Sequence, residues 1–79
     1  MHTPIEALIL EMAEERGAGK TLCPSEVAKR LDPQRWRARS GAIRAAVTRL
    51  AAAGRLRVTQ RGRNVDARTA RGPIRIGKP

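Results

Sequence analysis

The sequence predicts one mainly α-helical domain over residues 1–79 with a small antiparallel β wing: three helices plus a short, hairpin-like sheet. Apolar residues recur at helical spacing in three stretches, the period changes to two after Gly54, and Gly residues or Asp-Pro punctuate the stretches between. Composition alone points the other way. Only 15 of the 79 residues are Leu, Ile or Val, none is Phe, and 17 Lys+Arg stand against 7 Asp+Glu, which is the range where disorder is the default. Thirteen residues are Ala, which packs closely but buries little area, so there is material for one small core. Periodicity decides against disorder.

Thr3-Pro4-Ile5-Glu6 supplies a capping hydroxyl, Pro at the first helical position and Glu at the third, so side chains satisfy the orphan amides of a first helix. Ile5, Leu8, Ile9 and Met12 form its apolar stripe and Gly17 stops it, while Leu10 falls off the stripe. Gly17 to Thr21 has the residue types of a phosphate loop but not the spacing, because Glu14 stands where the first Gly is required and a helix, not a strand, precedes it. Lys20 to Leu22 is therefore read as a short extended piece. A second helix starts at Cys23-Pro24-Ser25-Glu26 with Val27, Ala28 and Leu31 as its buried edge, and Lys29 and Arg30 suit its C-terminal dipole. Asp32-Pro33 closes it and opens another helical segment.

Ser40 to Ala53 reads as the third long helix, with Ile43, Val47 and Leu50 inward, Ala46 supporting them and Gly54 as the stop. Its opposite side carries Gly41, Ala45, Thr48 and Ala52 with Arg44 and Arg49 on the shoulders, a nearly smooth face with few atoms for direct base readout. Leu56 and Val58, then Ile74 and Ile76, alternate with polar residues and form two antiparallel strands. Between them, Gln60 to Pro73 holds four Arg and one Asp and is expected to protrude as a basic loop.

Several function classes are excluded. A lone Cys23 and a lone His2 make neither a disulfide nor a structural zinc site, and no tuned His or carboxylate pair supports an enzyme or calls for a cofactor. Cys23 is expected to be a half-buried residue at a helix start and not a nucleophile. No apolar run exceeds four residues, and Ala7 to Leu10 is bracketed by glutamates, which argues against a membrane span and a secretory leader and for a cytoplasmic protein. Trp36, the one aromatic residue, is expected to be the largest piece of core.

Charge separates along the chain. Residues 1–32 hold 6 acids and 4 bases, whereas residues 33–79 hold 1 acid and 13 bases, a net of +12 that a polyanion would relieve. Helix, short strand, helix, helix, strand, basic loop, strand is the element order of a winged helix-turn-helix domain, in which the third helix meets a DNA major groove and the wing touches the adjacent backbone. The arginines fall in those two elements and in their approach.

The chain also resembles a family of small bacterial domains of unknown function with a winged-helix fold. Gly19-Lys20-Thr21 with Cys23-Pro24-Ser25-Glu26-Val27-Ala28, Trp36-Arg37, Ile43-Arg44-Ala45-Ala46, Leu50 to Arg55, Val58 to Arg63, Val65-Asp66 and Arg71-Gly72-Pro73-Ile74-Arg75 carry the resemblance, which covers nearly the whole chain. It implies the fold and brings no activity or site.

Two functions are expected from the residues. The first is double-stranded DNA binding through phosphates by Arg37, Arg39, Ser40, Arg44, Thr48, Arg61 and Arg63, with the amides at the Ser40 helix start as further donors and a salt slope near −5 for about six neutralised phosphates. RNA is a lesser variant, because stacking aromatics are lacking. The second is a protein-interaction adaptor using the smooth third-helix face, the acidic first helix and Leu10. Chain length and the lack of a long heptad stretch fit a monomer or weak dimer.

Overall fold

The structure, a computed structural model, describes residues 2–79. Helix α1 spans Pro4–Arg16, β1 Thr21–Leu22, α2 Pro24–Leu31, a 3₁₀ turn Trp36–Arg39, α3 Ser40–Ala52, β2 Arg57–Gln60, β3 Arg63–Asn64 and β4 Arg75–Gly77. The result is three helices plus a four-stranded antiparallel sheet in the order β1-β4-β2-β3, a helical domain with a β wing.

The first two helices start as their capping residues require. Thr3 Oγ1 accepts from the Glu6 amide at 3.1 Å while the Glu6 carboxylate accepts from the Thr3 amide at 2.9 Å. At α2 the Glu26 carboxylate accepts from the Cys23 amide at 2.8 Å. The third helix begins differently. Asp32 accepts from the Arg35 amide at 3.1 Å, Pro33 to Arg35 form a turn, and the 3₁₀ segment runs straight into α3, so Asp32-Pro33 opens a tight connector instead of a further α-helix.

One cluster forms the core. Ile9, Met12, Ala13, Val27, Ala28, Ile43, Ala46, Val47 and Leu50 come from the helices, and Leu22, Leu56, Val58, Ala67, Ile74 and Ile76 come from the sheet side. The register aligns Leu22 with Ile76 and Ile76 with Val58, so the inner sheet face is a continuous aliphatic strip against the helices. Gly77 lies in this sheet for a steric reason: a Cβ there would stand 2.7 Å from the Lys20 carbonyl oxygen, closer than packed atoms approach.

Three expectations are corrected. Leu31 does not line the buried edge of α2; at 37% it is the exposed large hydrophobic residue, because the helix ends there and its last turn leaves the core. Trp36 is half-buried and packs on the rim of the core, since the 3₁₀ turn lies beside the helical layer. Residues 61–73 do not form one open loop. Its first part is a tight hairpin, and Val65, Ala67 and Ala70 then fold the remainder back onto the core, with Ala67 buried. Leu10 also packs partly against the core.

Candidate nucleic-acid interface

The hairpin tip is set by backbone geometry. Thr59 pairs with Asn64 and Gln60 with Arg63, leaving a two-residue turn, Arg61-Gly62, with φ of 53° and 81°. Positive φ at both central residues matches the right-handed twist of the flanking strands, at the cost of holding Arg61 in a conformation that residues with a Cβ seldom adopt. Arg61 and Arg63 are both exposed, and neither has an ion-pair or hydrogen-bond partner through its side chain among the described residues. Arg61 shares an open cleft with Arg71, beside Gln60, Gly72, Pro73 and Arg75.

Two side chains fasten this hairpin to α3. Gln60 Nε2 donates to the Arg71 carbonyl at 2.6 Å and the Pro73 carbonyl at 2.9 Å, holding the returning strand against the end of β2. Arg44 donates to the Ala70 carbonyl at 2.5 Å and the Gly72 carbonyl at 3.2 Å, holding the same segment against α3. Arg44 therefore has much of its donor fork committed within the fold. Gln60 was not singled out by sequence reasoning, and no local signal marks it, because its partners lie 11 and 13 residues away.

The remaining candidates fall into distinct environments. Arg37 is exposed, with its guanidinium carbon 4.3 Å from the Trp36 ring centroid, and Lys29 Nζ lies 4.7 Å from the same ring. Arg39 Nε donates to Asp32 at 3.0 Å. Thr48 Oγ1 donates back to the Arg44 carbonyl at 3.0 Å, so its proton is used along its own helix. Ser40 is exposed, but its amide donates to the Arg37 carbonyl, so the expected free amide at the start of α3 is corrected: the 3₁₀ turn consumes it. The smooth face persists at Gly41, Ala45 and Ala52, all exposed.

Most of the acids of residues 2–32 are paired. Glu6 is buried and accepts from Arg49 Nε at 2.9 Å; that bond, with the Thr3 amide, brings its carboxyl down to about 2 from 4.5. Glu26 is also held below the usual carboxylate range, first by the Cys23 amide and then by Arg16. Glu15 bonds Arg30 and raises its guanidinium, and Lys78 reaches Glu14 at 3.0 Å. Arg75 donates to Thr21 Oγ1, the Thr21 carbonyl and Cys23 Sγ, closing the sheet edge over the start of α2. Cys23 is half-buried, as expected for a residue at a helix start.

Among the described residues no group of three or more His, Cys, Asp or Glu is placed to hold a metal ion, and no helix is long and apolar enough to cross a membrane. Comparison with known families defines the class. The chain belongs to the family described as protein of unknown function (DUF3253), whose model matches residues 2–79. No protein of curated function matches it.

Proposed function

We propose that the protein is a winged helix-turn-helix module that binds double-stranded DNA, chiefly through phosphates. One observation carries this function: positive charge is left unmatched where a polyanion could reach it. Arg35, Arg37, Arg61, Arg63 and Arg71 are exposed and have no carboxylate partner among the described residues, and three of them belong to the wing. Arginine forks of this kind bind phosphate oxygens in pairs and are only weakly hydrated, so they give up water at modest cost. Arg44 and Thr48 then support the interface by shaping it, and Arg39 contributes charge from its ion pair with Asp32.

Fluorescence anisotropy of a labelled duplex, a single strand and an RNA hairpin across a salt series tests this function. Five neutralised phosphates give a log–log slope of about −4.5 on duplex DNA, with weaker binding to the other two. Binding that ignores salt, or no binding to any duplex at low salt, rejects it.

A second function, a protein-interaction adaptor, draws on one observation. Exposed Leu31 borders an open groove with Thr3, Pro4, Ile5, Asp32, Arg39 and Ala42. Such a partner would remain bound when the wing charge is reversed, whereas DNA would not.

A further inference from the structure

On the duplex-DNA function proposed above, which this inference presupposes, we propose that sequence preference enters through the hairpin tip: Arg61 enters a minor groove and selects the narrow groove of A·T tracts. The major-groove alternative has few free polar atoms to work with. Base pairs are told apart there by donor and acceptor patterns, so a reading helix must present free polar groups. On α3, Thr48 Oγ1 is bonded to the Arg44 carbonyl, Arg44 is committed to the Ala70 and Gly72 carbonyls, and Arg49 is held by Glu6. Gly41, Ala45 and Ala52 carry no polar side-chain atom, which leaves the exposed Ser40 hydroxyl at the helix start, a group that bonds to any base and so discriminates little. A helix surface of this kind fits closely against DNA and distinguishes little within it.

The hairpin has the opposite properties. Its tip is a two-residue turn, narrow because both φ values are positive, and its two arginines are exposed with their forks free among the described residues. Its direction is fixed by bonded neighbours: Gln60 ties β2 to the Arg71 and Pro73 carbonyls, and Arg44 ties the same segment to α3. An arginine delivered in a fixed direction responds to groove width, because a narrow A·T-tract minor groove concentrates negative potential. Guanidinium suits that groove better than ammonium, since it is less strongly hydrated and loses less on leaving water. Arg63 and Arg71, on either side of the tip, are left for the flanking phosphates.

The test uses the full chain and two labelled 20-base-pair duplexes of equal length, one with a central A·T tract and one wholly G·C, at one salt concentration. The A·T-tract duplex is expected to bind at least about fivefold more tightly, and netropsin, which fills the minor groove, to release the protein from it. Arg61→Lys keeps the charge but not the fork; whatever it does to the affinity itself, it should bring the ratio of A·T to G·C binding close to one. Circular dichroism confirms that this exposed substitution leaves the fold unchanged. Equal binding of both duplexes by the unaltered protein, or a preference that survives Arg61→Lys, overturns the inference while leaving duplex binding intact. Failure to bind either duplex at low salt overturns the proposed function itself.

Discussion

The two halves of this small protein handle charge in opposite ways. Within residues 2–32, five acids are engaged: Glu6 with Arg49, Glu14 with Lys78, Glu15 with Arg30, Glu26 with Arg16 and Asp32 with Arg39. Three of those bonds reach into residues 33–79, so the acidic half neutralises part of the basic half along their shared packing surface. Asp66, the single acid of the second half, lies beside Arg68. Among the arginines without a carboxylate partner are Arg35 and Arg37 of the connector before α3 and Arg61, Arg63 and Arg71 of the wing, and Lys20, Lys29 and Arg55 are exposed and unpaired as well among the described residues. Net charge alone does not say which cations are free; ion pairing removes Arg16, Arg30, Arg39, Arg49, Arg68 and Lys78 from that set and leaves five exposed arginines in the connector and wing.

The sharpest way to break this contrast is to invert the unmatched side. Arg61→Glu with Arg63→Glu is expected to weaken duplex binding at least about 100-fold in the anisotropy assay, because two attractions to the polyanion become repulsions. Its melting temperature should be nearly unchanged, since neither side chain is bonded within the fold. Reversing charge in the matched half does the reverse, acting on stability before binding.

A middle-sized effect belongs to the joint between helix and wing. Arg44→Ala leaves the Ala70 and Gly72 carbonyls without their donor and is expected to cost about 1–3 kcal/mol in a denaturant melt. Duplex binding should fall with it, less than for the charge reversal, because the wing loses its fixed direction but keeps its charge.

The smallest and most diagnostic effect is on the acid side. Glu6 is held at about 2 in the folded protein, below the 4.5 of a free carboxyl, so the unfolded chain takes up more protons between those values. The stabilisation it provides is complete above about pH 4.5 and is lost as pH falls toward 2, with Glu26 acting in the same direction. Melting temperature recorded from pH 6 to 2 should show this decline, and Glu6→Gln should flatten it.

Much of the architecture was legible locally. The Thr3 and Glu6 pair, the stripes of α1 and α3, and the alternation around Val58 and Ile76 are short-range signals, and the structure follows each of them. Strand β3 was not legible, because Arg63–Asn64 is two polar residues with no apolar alternation, and Arg61-Gly62 lacks the Asn or Asp that usually announces such a turn. For the candidate interface, sequence placed the arginines but could not tell free from committed ones. Arg44 finds its acceptors 26 and 28 residues away, and Arg49 finds Glu6 across 43, distances at which residue spacing carries no information.

The pairing of Trp36 with Arg37 and Lys29 has a spectroscopic consequence. The chain has a single indole and no tyrosine, so its ultraviolet emission arises from one position without any added dye. That emitter sits beside two cations, one of them among the unmatched arginines of the connector. Drawing Arg37 toward a polyanion changes the field at the ring, so titration of unlabelled protein should shift its emission at the same ligand concentration at which labelled DNA reports binding.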